Sequence, residues 1–146
     1  MSLGGAAALL ASPPLQVEAM ILEAVYPTVE RATENRLRLY LSPLGALGAP
    51  LLLIQLGPRI GVSAWDLSPV ERIADVRCPI LIIGGAADRH TTPADTRLLF
   101  ARARGRKELW LIPNVGHVDF HRARRAEYEQ RILAFLSDAF ARRSRE

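Results

Sequence analysis

The chain has 146 residues, 49% hydrophobic and 23% charged, which is enough for one domain with a modest core and too few for two ordinary ones. That balance excludes a disordered chain, and no apolar run reaches the length a membrane-spanning helix needs. The formal charge of +4 rests on arginines scattered along the sequence without the motif of a binding module, so no nucleic-acid partner is expected.

Taken in chain order, Gly4 to Ala11 is small and apolar, which suits a helix packed closely on a sheet, and Pro13 and Pro14 end it. No basic residue precedes this stretch, since the first arginine is Arg31; a secretory signal is therefore rejected. With a single cysteine, Cys78, and no internal disulfide open to it, a cytoplasmic location is expected. Val17 to Val25 reads as a buried strand. Residues 27–62 change character: a polar-faced helix, Glu30 to Tyr40, is followed by a stretch rich in glycine, proline and leucine. This predicts a small cap-like helical segment over the sheet edge, with Leu51, Leu52, Leu53 and Ile54 packed beneath it rather than forming a lipid-binding surface.

Ser68, Pro69 and Glu71 have the spacing of a capping box and predict a short helix to about Val76. Ile80 to Ile83 is an unalternating apolar run, as in a parallel sheet buried on both faces, with Gly84 and Gly85 expected to end it. Thr92, Pro93 and Asp95 start another helix, and Glu108 to Ile112 is the third strand. From Arg122 onward Tyr128, Ile132, Leu136 and Phe140 recur every four residues, with Leu133 and Phe135 beside them, the mark of a long amphipathic helix. Strands alternating with helices give an α/β class: a three-stranded parallel sheet with flanking helices.

Sites in parallel α/β sheets form at the carboxyl ends of strands. Three segments there carry reactive chemistry: Ser2 ahead of the first helix, Asp88 after the second strand, and His117 after the third. Serine becomes a useful nucleophile when an imidazole takes its proton, and a carboxylate holds that imidazole in the right tautomer. The chain order Ser, Asp, His is that of the α/β-hydrolases. Gly4 and Gly5 would allow the sharp turn behind the serine.

On these residues the chain resembles the C-terminal half of an α/β-hydrolase, near the dienelactone-hydrolase-like and serine-aminopeptidase-like branches. The matching pieces are SLGGAAALLA, LSPVERIADVRCPILIIGG, ADRHTTP and KELWLIPNVGHVD, and the likeness extends over essentially all of residues 1–146. It implies a truncated α/β-hydrolase fold that hydrolyses small-molecule esters, thioesters or amides without metal or organic cofactor. Carried over by position, Ser2 is the nucleophile, Asp88 the acid, His117 the base, and the Leu3 N–H an oxyanion-hole donor. The family motif is G-x-S-x-G, and here Met1 stands at the first x with nothing ahead of it. A C-terminal part of the domain is therefore expected, weak or inactive alone and prone to self-association through an exposed sheet edge. The alternative is a non-catalytic module that pairs with another chain.

Competing readings attach to several residues. Glu23, at the end of the first strand, is the rival acid. His90 lies too near Asp88 to be the family's base, and His121 falls at the start of the last helix. Asp119 reads as a first-turn helix charge and Cys78 as a small core residue.

Overall fold

In a computed structural model of the chain, residues 2–143 are described; Met1, the first x of the motif, lies outside them. The elements run α1 (Leu3–Leu10), β1 (Met20–Glu23), α2 (Val29–Leu41), a 3-10 segment (Pro43–Gly48), α3 (Ala49–Leu53), α4 (Leu56–Ile60) and α5 (Pro69–Arg72). They continue with β2 (Ile80–Gly85), α6 (Pro93–Arg102), β3 (Lys107–Ile112), α7 (Phe120–Ala123) and α8 (Arg125–Arg143). The three strands form one parallel sheet in the order β1-β2-β3.

Side chains alternate across this sheet, so β2 feeds two cores. Ile80 and Ile82 face Ala6, Leu9, Val70, Ile73 and Leu99 on one side. Leu81 and Ile83 join Trp110, Ile112, Phe120 and Phe135 on the other. The result is three layers, with α1, α5 and α6 on one face and α8 on the other. A parallel sheet needs both faces covered, which is why β2 has no polar position.

Several boundaries differ from the sequence expectation. β1 is only four residues long: Leu15 and Val17 stay exposed, and Ala24 takes a left-handed φ of 47° that ends the ladder. β2 runs through Gly84 and Gly85 instead of stopping before them. A Cβ on Gly84 would collide with the Thr96 side chain, and one on Gly85 with the carbonyls of Val115 and Gly116. These glycines permit close packing; they do not break the strand. Ser68 precedes α5 but makes no side-chain cap bond. Capping boxes form instead at Thr92–Asp95 and Ser63–Asp66.

The last helix breaks at Arg124, whose φ of −145° and ψ of 50° separate α7 from α8. In α8, Phe135 and Ala139 are buried, whereas Leu133 and Phe140 are exposed. A row spaced by four drifts around a helix of 3.6 residues per turn, so burial passes from Tyr128 and Ile132 to Phe135 and Ala139. The apolar run of the cap-like segment also departs from expectation. Leu51, Leu52 and Ile54 point to solvent, and only Leu53 of the four is half-buried.

Candidate active site

The three candidate residues arise at the carboxyl end of the sheet, each from a different strand's neighbourhood. Met20 and Ala24 use their amides on the β2 side, bonding Pro79 and Ile83 carbonyls. Backbone groups alternate along a strand, so Glu23 turns its carbonyl to the outer edge of β1, where it accepts from the Ser2 N–H at 2.7 Å. Ser2 adopts φ 42° and ψ −92°, a strained conformation for a residue with a Cβ, and α1 begins at the next residue. Gly5 lets α1 approach the sheet, since a Cβ there would strike Val25; Gly4 has open space. The sharp turn is thus made by Ser2 itself, not by the glycines after it. Leu3 opens α1, so its N–H belongs to the first helical turn, which has no acceptor within the helix.

Asp88 follows β2 in a loop pinned on both sides. The amides of Ala86 and Ala87 donate to the carbonyls of Ile112 and Val115, both at 2.9 Å, joining this loop to the one after β3. The Thr91 hydroxyl donates to the Ala24 carbonyl at 3.1 Å, joining it to the end of β1. Asp88 itself is buried; its Oδ1 accepts the amides of His90 (2.7 Å) and Thr91 (2.9 Å). Its Oδ2 meets Nδ1 of His117 at 2.7 Å. An ionised carboxylate with two amides behind it can only accept, so Nδ1 carries the proton and Nε2 is left as the basic nitrogen. The His117 side chain keeps 24% exposure, against 0% for Asp88, leaving the imidazole within reach of a ligand.

The rival groups are engaged elsewhere. Glu23 Oε1 accepts from the Tyr128 hydroxyl at 2.6 Å. Burial, together with this bond to the Glu23 carboxylate, pushes the Tyr128 phenol well above its ordinary range. His121 faces Glu129 at 2.9 Å, and Asp119 caps α7 by accepting the Arg122 amide. Cys78 packs at the edge of one core, and its burial raises the thiol pKa. His90 lies between two other rings in tilted contacts, with its centroid 5.1 Å from that of His117 and 5.9 Å from that of Tyr40.

Sequence reasoning missed one feature, a polar clamp between α2 and the acid loop. Asn35 Nδ2 donates to the His90 carbonyl (3.0 Å) and to Asp95 Oδ2 (2.9 Å), while Arg31 bonds Asp95 Oδ1 at 2.8 Å. Arg31 and Asn35 stand four apart on one helical face, the spacing that could have flagged them. A cavity of about 830 Å³ lies against α2, lined in part by Glu30, Arg31, Glu34, Leu53, Ile54 and Trp65. None of Ser2, Asp88 and His117 lines it.

A parallel sheet with a strained serine at one strand end, and a carboxylate–imidazole pair on the next two loops, is a specific topology. This is an α/β-hydrolase fold. Among solved structures, the chain resembles an α/β-hydrolase enzyme from the sediment metagenome of the Mar Chica lagoon in Morocco (22% identity, TM-score 0.61). It covers 94% of this chain and 58% of that one. It also resembles a thermophilic esterase from Thermogutta terrifontis (14% identity, TM-score 0.60, covering 95% and 63%). A third is acetyl xylan esterase 1 from Thermoanaerobacterium (13%, TM-score 0.62, covering 95% and 44%). The chain thus spans 44 to 63% of the length of these three proteins. No protein-family model matches it, and comparison with curated proteins gives no match. Among the described residues, no helix is long and apolar enough to cross a membrane.

Proposed function

We propose that this α/β-hydrolase chain carries the nucleophile, acid and base of a serine hydrolase acting on carboxylic esters or thioesters. The observation that carries the reading is the buried Asp88 carboxylate held on His117 Nδ1 at 2.7 Å, with strained Ser2 on the neighbouring strand edge. Ser2 Oγ adds to the substrate carbonyl as its proton passes to His117 Nε2. Asp88 stabilises the imidazolium so formed, and the N–H of Leu3 at the head of α1 meets the developing oxyanion. Collapse expels the alcohol or thiol, protonated by His117, and leaves an acyl group on Ser2. Water attacks this ester with His117 again as base, releasing the acid and restoring the serine hydroxyl.

A fluorophosphonate probe tests the assignment without a known substrate. Mass spectrometry is expected to find the label on Ser2 and to find it absent in Ser2→Ala. Label on another residue, or label retained by the variant, would refute the proposal. The esterases among the solved neighbours favour esters over amides.

A further inference from the structure

Among the described residues, the His117 side chain has one hydrogen bond, from Nδ1 to Asp88. The terminal torsion of a histidine is broad, so a single bond leaves the ring free to tilt. Tilting moves Nε2, and a base works only within hydrogen-bond reach of the proton it takes. A second restraint on this imidazole therefore matters, and the ring of His90 supplies one. The two centroids are 5.1 Å apart at an interplanar angle of 49°, a packing distance for aromatic rings.

His90 is itself fixed through its backbone. Its N–H donates to Asp88 Oδ1 at 2.7 Å, and the following amide, of Thr91, donates to the same oxygen at 2.9 Å. Its carbonyl accepts from Asn35 Nδ2 at 3.0 Å. Tyr40, near the end of α2, packs on the ring with a centroid separation of 5.9 Å. Among the described residues neither ring nitrogen of His90 has a hydrogen-bond partner, so the ring acts by contact. Asp88 thus reaches the imidazole twice: directly through Oδ2, and through Oδ1, which anchors the residue whose ring packs against it. We infer that His90 is a positioning residue, whose ring limits the tilt of His117 and keeps its bond to Asp88 closed. Its consequence at Ser2 rests on the reading of His117 as the base.

The hydrogen bonds of His90 are made by its backbone, so His90→Ala removes the ring and leaves them in place. With isotope-labelled histidine, the His117 Nδ1–H is expected as a downfield proton resonance, because it is bonded to a carboxylate. His90→Ala should speed its exchange with water about two- to tenfold, the loss of one ring contact. Fluorophosphonate labelling of Ser2 should slow by a similar factor. His90→Phe, which restores a ring, should restore both. Tyr40→Leu, at a position 70% exposed, should raise exchange by less than His90→Ala does. Native exchange in His90→Ala would overturn the inference, even beside a lowered unfolding midpoint. Failure of a folded His90→Phe to slow exchange again would also overturn it; should that variant not fold, native exchange in Tyr40→Leu would do so. A native chain that shows the resonance but takes no label at Ser2 would sink the serine-hydrolase reading, and the exchange rates would still decide this inference.

Discussion

Asn35 bridges two acceptors that matter at different depths. Its amide holds the carbonyl of His90, whose own N–H supports Asp88, and the same amide holds Asp95. Asn35→Ala takes this donor from the His90 carbonyl, while Asp95 Oδ2 keeps the amide and hydroxyl of Thr92; the cost is about 1–3 kcal/mol. The expected result is a lowered denaturation midpoint together with a His117 ring resonance that broadens as the acid loop loosens. An unaltered His117 spectrum beside the same loss of stability would confine Asn35 to a structural role.

Asp95 makes a pH prediction of its own. Burial acts to raise its pKa, but bonds from Arg31, Thr92 and Asn35 outweigh that and hold it below the ordinary carboxylate range. A depressed folded-state pKa stabilises the fold above the unfolded value of about 3.9, and that contribution disappears as pH falls through the folded one. The stability gap between the native chain and Asp95→Asn should therefore be full at neutral pH and shrink below about pH 4. A gap that stays constant down to pH 2 would show that the ionised form of Asp95 gives no net stabilisation.

Elements make the sequence legible where one force dominates. The β2 run Ile80–Ile83 announced a strand buried on both faces, and Thr92, Pro93 and Asp95 announced the start of α6; both are observed. The loops carrying Asp88 and His117 could be placed because each follows such a strand. What the chain order of residues could not convey was geometry set by partners far away. Gly84 and Gly85 look like strand breakers until Thr96 and the Val115 carbonyl are seen beside them. Leu51, Leu52 and Ile54 look like core until the helix places them outward. The clamp from Asn35 joins residues 55 and 60 positions apart, a separation no local pattern encodes.

The drift of burial along α8 gives a direct contrast. Phe135 is buried in the core and Leu133, two residues away, is 64% exposed. Phe135→Ala should cost about 3–5 kcal/mol, and Leu133→Ala about 0.5 kcal/mol or less. Urea denaturation of the two variants checks the assignment of faces. Equal losses would mean that α8 packs with a different rotation.

At the scale of the whole molecule, the sheet has two edges, and that of β1 lies beside Ser2, the proposed nucleophile. The Glu23 carbonyl on this edge is met by the Ser2 amide rather than by a neighbouring strand. A short apolar edge strand pairs readily with another chain. The strained turn at Ser2 persists only when its surroundings fix it, and one backbone bond to the sheet, beside the Ala6 bond within its own helix, is slight restraint. The purified 146-residue chain is therefore expected to self-associate and to show little esterase activity. Light scattering and a short-chain ester assay check this together. A monodisperse monomer that hydrolyses the ester at ordinary enzymatic rates, and loses activity in Ser2→Ala, would contradict it while supporting the triad.

The order β1-β2-β3 also bears on how the chain folds. Ile80 pairs with Lys107 on one side and Met20 on the other, and the first partner is less than half as distant along the chain. Each doubling of a closed loop costs about 0.6 kcal/mol of chain entropy, and the loop to Met20 must also gather α2 through α5. The β2–α6–β3 unit is therefore expected to form the folding nucleus, with β1 and the Ser2 turn added after the barrier. Leu99→Ala in α6 should slow folding, while Ala6→Gly in α1 should mainly speed unfolding. The edge that holds Ser2 is then also expected to be the first part to open when the native protein begins to unfold.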